Sequence, residues 1–228
     1  MDVLTPNFDL ETEAHGQCLN IVAGCDEVGR GAIAGPVVAA AVILDPDQIP
    51  PGIDDSKRLS PSRRAALFLQ IRATSFIGVG FASHHRVDRD NVLQASLWAL
   101  ARALLHLPIQ PDLVLVDGPI DIQCPIPTRA VVHGDQISLS VAAASIVAKV
   151  VRDRFMENTS RIYPDYGFQQ HKGYGTKLHL QRIQERGPSQ IHRKSCRLFS
   201  TAIRLDEVDV RNAKSLRQFI KSNYRRIS

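Results

Sequence analysis

Residues 19–31, L-N-I-V-A-G-C-D-E-V-G-R-G, run from an apolar, β-branched segment into two adjacent carboxylates, Asp26 and Glu27, and then into Gly29-Arg30-Gly31. Composition predicts a strand over Leu19–Cys25. Neighbouring carboxylates repel, so an apolar strand gains by ending on them only where a cation or solvent takes up the charge. The glycines let the main chain approach a sugar-phosphate closely and Arg30 can address a phosphate, although a tight turn explains the same three residues. The chemistry this stretch points to is a metal beside a phosphate.

Outward from it, the G-A-I-A-G-P turn leads into a second apolar segment, Pro36–Leu44, and Ser75–Ala82 is a third strand candidate. Asp90–Leu107 carries apolar residues at helical spacing, Asp112–Asp117 is a short apolar strand that again ends in a carboxylate, and Ser138–Arg154 is an Ala- and Val-rich helix with Asp153 near its end. Strands alternating with helices, with acids at the strand tips, give an α/β fold whose site lies at one edge of the sheet. Residues 1–18 read as a loose lead-in, residues 19–206 as one main domain whose stretch 161–199 is loop-rich and basic, and residues 207–228 as a basic helical tail with Leu216, Phe219 and Ile220 on one side.

Four acids end apolar elements: Asp26, Glu27, Asp117 and Asp153. Converged, they would hold two hard divalent cations such as Mg²⁺ or Mn²⁺, which take oxygen ligands and together activate water and stabilise the leaving oxygen of a phosphodiester. For Asp117 alone, ahead of Gly118-Pro119, a turn residue is the plainer reading. In D-D-S-K-R-L-S (54–60), Lys57 and Arg58 are either phosphate contacts or a solvated loop before a helix opened by Ser60-Pro61. The run Tyr163–Thr176, Y-P-D-Y-G-F-Q-Q-H-K-G-Y-G-T, is either a platform for stacking on nucleotides or a packed aromatic loop.

With 44% hydrophobic and 22% charged residues the chain is a folded globular protein and not a disordered one. The acidic start M-D-V-L-T-P-N-F lacks the basic and apolar regions of a signal peptide, and the longest apolar runs are broken by Gly and Pro, so a soluble, cytoplasmic protein is expected. Cys18, Cys25, Cys124 and Cys196 form no CxxC pair, which argues against a disulfide framework or a structural zinc and for reduced, buried thiols. Residues 1–150 hold 11 Lys/Arg against 16 Asp/Glu, and residues 151–228 hold 17 against 7. An acidic half joined to a basic one suits a polyanion steered toward a metal.

Six motifs recur together and in order: G-C-D-E-V-G-R-G-A-I-A-G-P, D-D-S-K-R-L-S, L-V-D-G, A-A-A-S-I-V-A-K-V-V-R-D, Y-P-D-Y-G-F-Q-Q-H-K-G-Y-G-T and H-R-K-S. From residue 19 to residue 200 the chain resembles ribonuclease HII, the type 2 ribonuclease H. The resemblance implies a ribonuclease-H-like mixed sheet flanked by helices, with a C-terminal helical extension. It implies an endonuclease that hydrolyses the RNA of RNA–DNA hybrids and cuts 5′ of single ribonucleotides in duplex DNA, leaving 3′-hydroxyl and 5′-phosphate ends, in ribonucleotide excision repair and DNA replication. Carried over by motif, Asp26, Glu27, Asp117 and Asp153 bind two Mg²⁺ or Mn²⁺ ions. Gly29, Arg30 and Gly31 recognise the 2′-hydroxyl, Tyr174 stacks on the sugar beyond the ribonucleotide, and Lys57 contacts phosphate near the cut. Nothing in the sequence requires more than a monomer, and contact with a sliding clamp is left open by it. Cys196 stands where the family usually has phenylalanine, an expected loosening of local packing, and the tail 207–228 extends past the shared region. The competing readings are a non-catalytic binder of hybrids and another nuclease of the same fold class, such as a junction resolvase; dependence on a ribose separates the latter.

Overall fold

The computed structural model describes residues 5–120, 122 and 124–196. Its elements in chain order are α1 (Asp9–Gly16), β1 (Val22–Val28), β2 (Val37–Leu44), α2 (Pro61–Thr74), β3 (Ser75–Ala82), α3 (His84–Asp90), α4 (Val92–Leu105), β4 (Leu113–Asp117), β5 (Thr128–Val131), α5 (Leu139–Ile162), α6 (Phe168–His171) and α7 (Lys177–Arg186). The five strands form a mixed sheet in the order β3-β2-β1-β4-β5, with β1 antiparallel to β2 and parallel to β4, and β4 parallel to β5. By contact the described chain separates into two units, residues 5–28, 38–81 and 96–151 in one and residues 29–37, 82–95 and 152–196 in the other.

In the first unit the first half of α5 is buried on its Ala-rich face. Ala142, Ala143, Ile146 and Val147 pack with Ala40 and Val42 of β2 and with Leu67, Phe68 and Ile71 of α2. A second cluster joins Val141 to Val22, Leu113, Leu115 and Val131 across β1, β4 and β5. The helix lies so close to β1 that a Cβ at Gly24 would fall 2.1 Å from the Ser140 carbonyl carbon. Glycine is therefore required two residues ahead of Asp26. Helix α2 opens as its sequence predicts, with Ser60 accepting from Arg63 N–H and Pro61 in the first turn.

The expected loose lead-in over residues 1–18 is corrected by α1. Its Glu11 is buried, and Oε1 accepts from Ser138 Oγ (2.6 Å) and from Ser140 N–H (3.0 Å) at the start of α5. An acid there meets the unpaired amides and the positive end of the helix dipole. This docking depends on a residue far away in sequence, so the polar run D-L-E-T-E carried no periodic signal of it.

In the second unit the later part of α5 packs through Met156 against Ile33, Ala34, Tyr166, Phe168, Leu180 and Ile183. Helix α5 continues to Ile162, past the expected end at Arg154, and α6, α7 and a short 3₁₀ turn at Pro164–Tyr166 order a stretch expected to be loop-rich. Cys196 is partly buried against this cluster, so the smaller side chain still packs there. Cys18 is exposed, against the expectation that all four thiols are buried. The expected tail helix over 207–228 lies outside the described residues. No helix among the described residues is long and apolar enough to cross a membrane.

Candidate active site

The first unit gathers acids at the ends of β1 and β4. Among the described residues, Asp26, Asp117 and Asp135 each offer a carboxylate oxygen, and these oxygens lie within 4.8 Å of one another. Parallel pairing sets Cys25 beside Val116, which brings the two strand tips level. Asp135 reaches them from a turn. After β5, His133 takes a left-handed conformation (φ 57°) and starts the 3₁₀ turn Gly134–Gln136. Gly134 N–H donates to Asp117 Oδ1 (2.8 Å), fixing the turn to the end of β4.

Burial is the main force that holds the Asp26 carboxyl well above its usual range; Glu27, Asp117 and Asp135 push the same way, while a hydrogen bond from Ser145 opposes them. Asp26 Oδ1 also accepts from Glu27 N–H (2.6 Å). The Asp135 carboxyl is raised by burial as well, partly offset by Lys57, whose Nζ donates to Oδ2 at 3.1 Å. Burial alone would lower the Lys57 ammonium, but Asp135 outweighs it and the group is raised. The loop that carries Lys57 is braced by Asp55, which accepts from Lys57 N–H (2.9 Å), and by Arg58, which donates to Gln136 Oε1 (3.1 Å). Close acids with protonation favoured by burial and mutual repulsion form a site that a divalent cation would relieve.

The fourth acid expected from the motifs, Asp153, lies on α5 in the second unit, beside Arg152. Asp135 was missed because H-G-D-Q ends no apolar run, and β5, its lead-in, is four residues following the proline-rich C-P-I-P. Glu27, next to Asp26 on β1, is half-buried and, after burial, is the largest influence on Asp26.

The second unit holds the remaining expected site residues. Gly29 has φ +97°, and a Cβ there would lie 2.2 Å from Arg152 Nε and 2.8 Å from Pro36 O, so no other residue fits. Gly31 is open, with nothing among the described residues within 4 Å of a Cβ. Tyr174 is half-buried with the Arg152 guanidinium 5.2 Å over its ring, and it bridges Ala32. The other aromatics of the Tyr163–Thr176 run follow the bland reading: Tyr166 and Phe168 stack on each other (5.5 Å) inside the core.

Three buried histidines support the Tyr174 segment. His179 Nδ1–H donates to Tyr174 O (2.9 Å), Ser189 N–H donates to His192 Nδ1 (2.8 Å), and the two Nε2 atoms meet at 2.9 Å, so His192 donates to His179. His171 accepts from Gly173 N–H and donates to Tyr166 O. Every ring nitrogen is satisfied with all three rings neutral, and burial lowers His179 to about 3 and His192 to about 4.

A family model, Ribonuclease HII, matches residues 23–202. The chain belongs to the ribonuclease HII family. It is 55% identical over 190 residues to the ribonuclease HII of Nitrobacter hamburgensis, covering 83% of this chain and 71% of that protein. Among solved structures it is similar to the ribonuclease H2 of Pyrococcus horikoshii (TM-score 0.67, 26% identity, 88% of this chain and 99% of that one). It is also similar to the ribonuclease HII of Archaeoglobus fulgidus, solved in complex with PCNA (TM-score 0.66, 27% identity, 82% and 99%). The enzyme is thus a ribonuclease H, an endonuclease that degrades the RNA of RNA–DNA hybrids.

Proposed function

We propose that the enzyme also cuts 5′ of single ribonucleotides embedded in duplex DNA, leaving 3′-hydroxyl and 5′-phosphate ends, with Asp26, Glu27, Asp117 and Asp135 as the acids that hold two divalent ions. The observation that carries the metal assignment is the convergence of three carboxylates, two of them buried, with the Lys57 ammonium in contact with Asp135 at the margin. An all-oxygen set fits Mg²⁺ or Mn²⁺ and not a soft metal. When bound, such ions supply a water of lowered pKa and charge stabilisation at the leaving 3′ oxygen. The residues hold this donor set still: β1 and β4 fix Asp26 and Asp117, and the Gly134 hydrogen bond fixes the turn that bears Asp135. Lys57, its side chain 76% exposed, works against the protonation of Asp135 that burial favours and has ammonium protons left for a phosphate of the substrate.

Ribose selection falls to the second unit. RNA differs from DNA at the cut by one hydroxyl, and the main chain at Gly29-Arg30-Gly31, where Gly29 takes a positive φ that other residues rarely adopt, can hydrogen-bond it without side-chain strain. Tyr174 offers a ring for stacking on the neighbouring sugar. We place the enzyme in the cytoplasm as a monomer acting in repair and replication, with a sliding clamp as candidate partner because the Archaeoglobus relative is seen with one. The test is cleavage of an end-labelled DNA duplex with one ribonucleotide, beside an all-DNA duplex and an RNA–DNA hybrid, in Mg²⁺, Mn²⁺ or EDTA. Metal-dependent cutting 5′ of the ribonucleotide and none of the all-DNA duplex is expected; binding without cutting of the single-ribonucleotide duplex would overturn the proposal.

A further inference from the structure

Arg152 and Arg193 are among the most buried residues of the second unit, exposed by 0% and 2%. Neither forms an ion pair with a carboxylate among the described residues, and both spend their donors on main-chain carbonyls. Arg193 Nε donates to Gly35 O (3.0 Å), and its Nη1 to Arg30 O (2.9 Å) and Ala32 O (2.7 Å), while its own N–H donates to Ile33 O (2.9 Å). Arg152 Nε donates to Pro36 O (3.0 Å), Nη2 to Ala34 O (3.3 Å) and Nη1 to Lys172 O (2.9 Å). The carbonyls of residues 30 and 32 through 36 are thus all claimed by these two arginines.

We infer that Arg152 and Arg193 are positioning residues that clasp the 29–36 segment by its carbonyls and lock it to Tyr174, so that together they set the selectivity for a ribonucleotide. This rests on the proposed ribose-reading role of that segment. Three observations separate the clasp from ordinary packing. Arg152 ties both halves of the reader, because it holds Ala34 and Pro36 on one side and Lys172 on the other and lies over the Tyr174 ring; Ile33 and Ala34 N–H both donate to Gly173 O and close the same link. Gly29 is bare because its Cβ would strike Arg152, so the left-handed glycine and the guanidinium specify each other. Arg193 Nη2 is buried without a hydrogen-bond partner among the described residues. Two unpaired buried cations and an unused donor are costly for stability, and a chain selected for stability alone would do better with apolar side chains. What a fork of donors provides, and a lysine cannot, is simultaneous reach to carbonyls that face different ways.

The test uses Arg193→Lys and Arg152→Lys in the full-length enzyme, with kcat and KM measured on a duplex holding one ribonucleotide and on a long RNA–DNA hybrid, and Tyr174→Ala run in parallel. Each lysine variant is expected to lose tenfold or more in kcat/KM on the single-ribonucleotide duplex relative to the hybrid, mostly through KM. Equal losses on both substrates, with Tyr174→Ala still selective in its loss, would overturn the clasp while leaving the ribose reading in place. No change of selectivity in any of the three variants would overturn the ribose reading and the clasp with it. Should a lysine variant not fold, NMR of arginine side chains in the wild-type enzyme decides. Two guanidiniums with slow exchange, shifting more on addition of the ribonucleotide duplex than of an all-DNA duplex, are expected, and fast exchange or equal shifts would overturn the clasp.

Discussion

The acid site of the first unit and the glycine loop of the second carry buried charge of opposite sign, and they handle it in opposite ways. Asp26 and Asp135 sit close to each other and to Asp117, so their charge is incompletely answered by the protein. Arg152 and Arg193 are answered in full by the main chain, apart from one nitrogen. A site that must receive a cation leaves its acids in mutual repulsion. A segment that must present a fixed backbone uses its cations up internally, and the contrast separates a binding site from a brace.

The largest expected effect breaks the first side of this contrast. Asp135→Asn should lower turnover by about 10³-fold or more, because metal coordination is worth several kcal/mol of barrier, with the fold unchanged by circular dichroism. Asp153→Asn should fall far less. A reversed order of the two in a cleavage assay would return the fourth acid to Asp153. Next in size is the support under Asp26. Gly24→Ala should cost about 3 kcal/mol by overpacking against the Ser140 backbone, seen as a lower midpoint in urea; an unchanged midpoint would mean that β1 and α5 can part without penalty.

The second unit can be broken by acid. His179 and His192 have pKa values lowered by burial to about 3 and about 4, against about 6.5 in the unfolded chain. The unfolded state therefore binds protons first as pH falls, and stability that is fully present above pH 6.5 is lost progressively below it. At pH 5 each ring costs up to about 2 kcal/mol. In urea titrations His192→Gln, which takes away one of the two rings, should flatten the loss between pH 6.5 and 5, and an equally steep loss in the variant would show that the acid sensitivity arises elsewhere.

Much of this architecture is legible in the sequence because it is local. The apolar runs that became β1, β2 and β4, the start of α5 and the Ser60-Pro61 helix opening all announce themselves within a few residues, and β3 falls on the expected Ser75–Ala82. The motif order gives the family as well. Illegible were the features made by contacts distant in sequence. Asp135 matters because a turn after an unannounced four-residue strand folds back on Asp117, and Arg193 because its guanidinium reaches carbonyls some 160 positions earlier. Nothing in residue type distinguishes a brace from a solvated cation.

The smallest expected effect sharpens the contrast within the first unit itself. Glu11 is as buried as Asp26, yet one of its oxygens is satisfied by Ser138 Oγ and Ser140 N–H at the start of α5. An acid settled in this way serves the fold and calls for no metal, so Glu11→Gln should cost about 1 kcal/mol, the scale of a charge at a helix N-terminus, and leave the metal dependence of cleavage as it was. Its other oxygen, Oε2, is buried without a partner among the described residues, and the amide of glutamine would stand there as a donor instead. A shift in the Mg²⁺ concentration needed for half-maximal cleavage would show that α1 and the acid site are coupled, and burial plus satisfied hydrogen bonds would then no longer suffice to tell a structural acid from a catalytic one.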